Sequence, residues 1–279
     1  MPQGGLLAIF AHPDDETFGV GATMARYAAK GVPVTMVCAT RGEVGEIAPG
    51  TGATPENLML YREQELRDAM GILGVSDVRF MGFRDSGMMG TEDNEDPRAF
   101  MRAHADGVRY MLVKLIRDLR PEVIVTWDKS GGYGHPDHVA TYEHATAAFH
   151  AAADASMHPT AGAPWQAKAL FYTSIPIEEF MRLAAELRKR GIDFGAPGGD
   201  EGLAELERVP VNCVIDVSDL YDRKMEALLS HRTQIGQDDP IAKAPDDLRR
   251  QFFSREYFHR AHPPVPDGKV LDDFFAGLS

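Results

Sequence analysis

The sequence predicts an α/β protein, a Rossmann-like three-layer sandwich built on a mostly parallel sheet. Three observations carry that prediction. Short apolar runs of strand length alternate with longer stretches of helical spacing. The first run, Leu6–Phe10, is apolar without alternation, as a strand covered on both faces requires. Two stretches dense in acid and imidazole groups, His12-Pro13-Asp14-Asp15-Glu16 and His135-Pro136-Asp137-His138, each follow such a run and open a helical pattern.

The elements follow in order. Residues 17–30 place Val20, Met24 and Tyr27 at helical spacing, with Gly31 as a stop signal. Residues 32–39 read as a second buried strand and 40–53 as a loop rich in glycine and acid. Thr54-Pro55 marks a helix start, a hydroxyl N-cap followed by proline where its missing N–H is harmless. That helix extends to residue 73, with Leu58, Tyr61, Leu66, Ala69 and Leu73 on its apolar side. A third strand is expected at 78–81, an acidic loop at 82–96, and a long helical pattern, broken near its start, at 97–119. Val-Ile-Val marks a fourth strand at 122–126. A loop at 127–134 leads to a helix at 136–153 with His135 near its N-cap.

Beyond residue 153 the pattern weakens. It gives a loop at 157–166, a strand at 169–173 and a helix at 177–190. Residues 192–201, rich in glycine and proline, read as an exposed excursion. A sixth strand is expected at 209–217, then a helix capped by Ser218-Asp219 and reaching residue 233. Phe252, Phe253, Tyr257 and Phe258 are expected to pack a C-terminal segment onto the body. The whole of 1–279 reads as one domain. Residues 1–153 carry the motifs, and 154–279 complete the sheet and shape the pocket.

In the strand order 3-2-1-4-5, strands 1 and 4 are neighbours at the switch point, where ligands sit beyond the carboxyl ends of the strands. Right-handed crossovers favour that winding. Both motif stretches would then meet at the C-terminal ends of strands 1 and 4.

Composition narrows the function. The 279 residues are 44% hydrophobic and 25% charged, ordinary for a globular protein with a sizeable core. A net charge of −13 without a basic stripe speaks against nucleic acid, and weakly against anionic lipid. The N-terminal stretch has neither a basic nor a long apolar region, and no run of about 18 apolar residues occurs to span a membrane. Cys38 and Cys213 lie inside apolar strand-like runs, which fits two buried thiols in a reducing cytoplasm better than a disulfide. No nucleophile elbow, no Walker-type loop and no glycine fingerprint after the first strand is present.

His12 and Asp15, three apart in a proline-containing turn, can point into one small volume. An imidazole and a carboxylate suit zinc or another borderline divalent ion. His138, in a first helical turn, is a candidate third ligand. Asp14 need not coordinate, and a free carboxylate there suits a hydrolytic general base. His135 could face the site from the other side, stabilising an oxyanion or protonating a leaving amine, with Asp137 holding its imidazole. Each motif alone has an ordinary explanation: acids at a helix N-terminus meet the dipole, and His135-Pro136 is a usual helix start. Their pairing at the switch point is what favours a metal hydrolase. His104, His144, His150, His158, His259 and His262 are read as surface or packing residues, and His231 as a cation meeting the dipole in a last helical turn.

Ala11-His12-Pro13-Asp14-Asp15-Glu16 and Gly134-His135-Pro136-Asp137-His138 together resemble the paired signatures of the LmbE-like (PIG-L) N-deacetylases. That family includes zinc enzymes that remove acetyl from N-acetylglucosamine units in mycothiol, bacillithiol and glycosylphosphatidylinositol synthesis. The resemblance covers roughly the first half of the chain. It implies that His12, Asp15 and His138 bind Zn2+ and that Asp14 is the general base. His135 becomes the electrostatic or acid partner, supported by Asp137, and Tyr133 helps hold the oxyanion. Arg62, in Tyr61-Arg62-x-x-Glu65-Leu66, and Asp85, in Arg84-Asp85-Ser86-Gly87-Met88, match substrate-contacting positions. Lys224 through Gln234 resembles a late helix of the family. Glu16 is left with no role.

The expectation is a cytoplasmic Zn-dependent hydrolase that removes the N-acetyl group from a small amino-sugar substrate. Fe2+ suits two imidazoles and a carboxylate equally, and a homo-oligomer stays open. The alternatives are an amidase cleaving a thiol-sugar conjugate, and a non-catalytic sugar- or metal-binding protein on the same scaffold.

Overall fold

The structure, a computed structural model, describes residues 4–174, 176–194 and 209–278. In chain order the first half comprises β1 (Leu6–Phe10), α1 (Asp15–Gly19), α2 (Gly21–Ala29), β2 (Val34–Cys38), α3 (Leu58–Leu73) and β3 (Asp77–Phe80). It continues with α4 (Ala105–Leu119), β4 (Val123–Thr126), the short α5 (Gly131–Gly134) and α6 (Pro136–Ala153). The second half adds β5 (Ala169–Thr173), α7 (Ile177–Lys189), β6 (Cys213–Asp216) and α8 (Tyr221–Leu229). It ends with α9 (Pro240–Lys243), α10 (Asp246–Phe253) and β7 (Arg255–His262).

The strands form one seven-stranded sheet in the order β3-β2-β1-β4-β5-β7-β6. The first five are parallel, in the order predicted, and Leu6 of β1 pairs with Val34 of β2 on one side and Val123 of β4 on the other. β7 runs antiparallel between β5 and β6. Alternation along β1 feeds two cores. Leu6, Ala8 and Phe10 meet Met24 and Tyr27 of α2 and Leu66 of α3 on one face. Leu7 and Ile9 meet Leu112 and Ile116 of α4 and Phe149 of α6 on the other. A strand buried on both sides must be apolar throughout, and that made β1 legible.

Several boundaries differ from expectation for identifiable reasons. The helix expected at 17–30 is two helices broken at Val20 (φ −145°, ψ 4°). The N–H groups of Ala22 and Thr23 turn to the Glu256 carboxylate, at 3.0 and 2.8 Å, and so start a new helix. α3 begins at Leu58, because Asn57 Oδ1 accepts from the Thr54 N–H at 2.7 Å and the Thr54 hydroxyl caps nothing. Residues 131–134, read as loop, include α5, whose Gly132 is non-helical at φ 73°. The helix expected at 218–233 is a 3-10 turn at Ser218–Leu220 followed by the shorter α8. Of the C-terminal aromatics, Phe252 and Phe253 end α10, and Tyr257 and Phe258 belong to a full strand, β7, placed inside the sheet. The excursion at 192–201 lies, from residue 195 on, outside the described residues.

A buried ion pair within the second half also holds the first, through Ala22, Thr23 and the Phe18 carbonyl. Lys224 Nζ of α8 donates to Glu256 Oε1 of β7 at 2.7 Å, both side chains 1% exposed, while the same carboxylate holds the start of α2. Cys38 on β2 and Cys213 on β6 are free thiols near opposite ends of the sheet order. Among the described residues no helix is long and apolar enough to cross a membrane.

Candidate metal centre

β1 and β4 are adjacent and parallel, so the segments leaving their C-terminal ends meet above the same sheet edge. The first opens α1 and the second opens α6, with His135 as the N-cap residue and Pro136 at the first helical position. Three predicted ligand side chains converge there. His12 Nδ1 lies 3.1 Å from His138 Nε2, His138 Nε2 3.2 Å from Asp15 Oδ1, and His12 Nδ1 3.7 Å from Asp15 Oδ2. All three are buried.

The remaining atoms of these groups are committed elsewhere, which orients them. His138 Nδ1 donates to the Gly131 carbonyl at 3.0 Å, leaving the Nε2 lone pair for the cluster. Gly131 permits that approach: at φ +60°, an added Cβ would fall 2.6 Å from the His138 Cβ. Trp127 stacks flat on the His138 ring, centroids 4.2 Å apart. His12 Nε2 donates to Asp137 Oδ2 at 3.1 Å, leaving Nδ1 free. Asp15 Oδ2 accepts the backbone N–H of His12 at 2.8 Å and of Ala11 at 3.1 Å. Two nitrogen lone pairs and a carboxylate thus face one point, a donor set that fits a divalent cation of the zinc or iron(II) type.

The electrostatics agree. Burial would push the His12 imidazole down, yet Asp85, Asp137 and Asp15 outweigh it and hold it well above its ordinary value. Burial would raise Asp15, but His138 and His12 hold it well below the usual carboxylate range. The pocket therefore attracts positive charge.

Asp14 stands beside this cluster without joining it. Burial pushes its carboxyl up to about 6, against the pull of Arg62. Its backbone is unusual for a residue with a side chain, at φ 115° and ψ −33°. His135 Nδ1 accepts the Asp137 N–H at 3.1 Å, so a neutral ring carries its proton on Nε2. Burial and the neighbouring imidazoles of His12 and His138 push His135 down to about 2. The ring also brings a nitrogen within 4.8 Å of those of His12 and His138. Tyr133 is half-buried, its ring 5.0 Å from that of His138, and burial holds its hydroxyl well above its ordinary value.

Two expected partnerships are arranged differently. The Asp137 carboxylate holds His12 rather than His135, and it accepts from the Ser86 N–H at 2.9 Å and from the Ser86 hydroxyl. Only the Asp137 backbone reaches His135. Arg62 reaches the site, but its guanidinium is occupied with the motif loop: it donates to the carbonyls of Pro13 (2.7 Å) and Gly42 (3.1 Å) and to Asp14 Oδ2 (3.2 Å). Asp85, close to its expected place, accepts from the Gly87 N–H at 2.8 Å and lies 3.5 Å from His12 Nε2. Ser86, Trp127 and the Glu16–His231 pair were not foreseen. Ser86 neighbours Asp85 in the same motif and could have been found there; the others have no local signal.

A parallel α/β sheet with a His-Asp-His cluster and a free carboxylate at its switch point is a metal-hydrolase scaffold. The chain belongs to the PIG-L family, described as GlcNAc-PI de-N-acetylase, whose model matches residues 7–149. It is 38% identical over 304 residues to a 1D-myo-inositol 2-acetamido-2-deoxy-alpha-D-glucopyranoside deacetylase of Geodermatophilus obscurus, with 99% of each chain covered. Among solved structures it resembles N,N'-diacetylchitobiose deacetylase from Pyrococcus horikoshii, with a TM-score of 0.65 and 20% identity over 92% of this chain and 83% of that one. It also resembles GalB, the 4-carboxy-2-hydroxymuconate hydratase of Pseudomonas putida, with a TM-score of 0.63 and 17% identity over 97% of this chain and 100% of that one. At such identities the likeness concerns the fold, which hosts more than one chemistry.

Proposed function

We propose that this protein is a divalent-metal-dependent N-deacetylase that releases acetate from an N-acetylglucosaminyl-inositol, with zinc as the metal and the cytoplasm as its place of work. The observation that carries the reading is the convergence of His12 Nδ1, His138 Nε2 and the Asp15 carboxylate, each fixed by a separate hydrogen bond. The curated relative named above, similar over nearly its whole length, supports the choice of sugar. The two free thiols fit a reducing compartment.

A divalent ion held by His12, Asp15 and His138 would act as a Lewis acid and lower the pKa of a water to about 7. Asp14, ionised near neutral pH, accepts the proton of the attacking water. His135, with Nδ1 engaged by the Asp137 N–H, offers its Nε2 proton to the developing oxyanion. The Tyr133 hydroxyl, kept protonated by burial, is a second donor, its ring 6.2 Å from that of His135. Protonated Asp14 then returns its proton to the departing amine, and the acetamide C–N bond breaks. Asp137 and Ser86 keep His12 in its tautomer, as carboxylates behind ligating imidazoles do. Asp85 and Arg62 border the place where the sugar sits.

An acetate-release assay over a panel of N-acetylated amino sugars, with metal analysis of the purified protein, tests the reading. N-acetylglucosaminyl-inositol is expected to be the best substrate, with about one metal ion per chain. Preference for a thiol-sugar conjugate would mark an amidase instead, and no acetate from any sugar would mark a binding protein.

A further inference from the structure

We infer that Glu16 and His231 are positioning residues that hold Asp14 in the backbone conformation its proton-accepting role requires. The inference rests on the reading of Asp14 given above. Among the described residues three without glycine's freedom have positive φ: Asp14, Arg120 and His158. Arg120 (51°, 52°) and His158 (47°, 59°) lie in the left-handed helical basin, which side chains tolerate. Asp14, at 115° and −33°, lies outside it. Such a conformation is strained and persists only where the surroundings impose it.

From the chain that follows, the Thr17 and Phe18 N–H groups donate to the Asp14 carbonyl at 2.9 and 3.3 Å, and the Glu16 side chain reaches the Asp14 N–H. Its Oε2 accepts the Asp14 N–H at 3.0 Å. Its Oε1 accepts the Thr17 hydroxyl at 2.5 Å and faces His231 Nε2 at 3.2 Å. Glu16 and His231 are both fully buried, 215 positions apart in the sequence. His231 lies just past α8, and the turn it opens is fixed to α3. Thr233 donates to Glu65 through its N–H (2.8 Å) and its hydroxyl (2.5 Å). Three positions earlier on α3, Arg62 grips the Pro13 carbonyl and the Asp14 carboxylate. One helix thus anchors both supports of Asp14.

A simple helix cap would not need this arrangement. A carboxylate reaching back to an N-cap N–H does its work at the surface as well. Burying it is costly unless a partner compensates. His231 adds a cost of its own, since its Nδ1 is buried without a hydrogen-bond partner. The pair is better explained by the geometry it imposes on Asp14.

The test uses the metal-loaded full chain with the deacetylase substrate. Glu16→Ala is expected to lower kcat about 100-fold, the usual scale for a misplaced catalytic group, with KM and metal content unchanged. Glu16→Gln, whose amide oxygen can still accept the Asp14 N–H, should recover to within about tenfold of the parent. His231→Leu should resemble Glu16→Ala and gives the same reading if that variant fails to fold. In an Asp14→Asn background, both substitutions should cause no further loss, because residues acting through one group are not additive. Losses that multiply in that background, or an unchanged kcat in Glu16→Ala and His231→Leu, would overturn the positioning role alone. An Asp14→Asn enzyme with the parent rate would overturn the reading of Asp14, and the positioning role with it.

Discussion

Nδ1 of His12 lies 3.1 Å from Nε2 of His138, and with both rings neutral neither nitrogen has a proton for the other. Each ring already spends its N–H on another partner, His12 on Asp137 and His138 on the Gly131 carbonyl. A cation must stand between them: a metal ion, or a proton on His12, whose basicity the surrounding carboxylates raise. Metal and proton therefore compete for one place. Metal affinity is expected to weaken by about tenfold per pH unit on acidification, while one proton is displaced. Competition with a chromophoric chelator at pH 6.5 and 7.5 checks this.

The Asp137 carboxylate accepts from His12, one of the proposed metal ligands, and from the Ser86 N–H. Asp137→Ala should lower metal affinity about 10–100-fold, the usual effect of losing a carboxylate behind a ligating imidazole. Ser86→Ala should do the same more weakly. Metal titration of the apo-proteins reads both. An effect on activity without one on metal affinity would assign Asp137 to the substrate side.

The Lys224–Glu256 pair is buried within the second half, and each partner also reaches the first: Lys224 donates to the Phe18 carbonyl at 3.0 Å, and Glu256 accepts the N–H groups of Ala22 and Thr23. Lys224→Ala leaves a buried carboxylate without its cation and should cost about 3–5 kcal/mol. The double variant Lys224→Met with Glu256→Gln should cost less than the sum of its single changes, since neither buried charge remains. Urea denaturation of the four proteins measures the coupling.

That pair also explains what the sequence concealed. β1 and β4 were legible because strands covered on both faces are apolar throughout, and the motifs stood out directly after them. The inward positions of β7 are Glu256, Phe258 and Arg260, so its period of two is interrupted by charges. Glu256 is satisfied by Lys224 and α2, and Arg260 by the carbonyls of Pro263 and Ala276. Apart from Pro263, these partners lie outside a local window. His231 was hidden for the same reason: its position suggested a helix-end cation, while its partner Glu16 lies in the first motif. The metal cluster was the easier inference, because each half is a short contiguous segment and the strand order alone brings the halves together.

His144 provides a pH test away from the metal. It is buried against Phe100, and burial, with Arg109 nearby, pushes its imidazole below the ordinary value. The unfolded chain takes up a proton near pH 6.5 that the folded protein refuses, so stability is full above that pH and is lost as pH falls below it. His144→Gln should reduce the acid sensitivity between pH 7.5 and 5.5. The difference should not exceed about 1.4 kcal/mol per pH unit, the limit for one proton. Chemical denaturation at the two pH values measures it.

The proposed mechanism divides the labour of the first motif, His12 and Asp15 for the metal and Asp14 for the proton. The most direct test is acetate release from N-acetylglucosaminyl-inositol by Asp14→Asn, with the metal content of the same sample. The variant is expected to keep about one metal ion per chain, as the parent does, and to lose about 10²–10⁴-fold in kcat. A metal-loaded Asp14→Asn enzyme releasing acetate at the parent rate would contradict that mechanism.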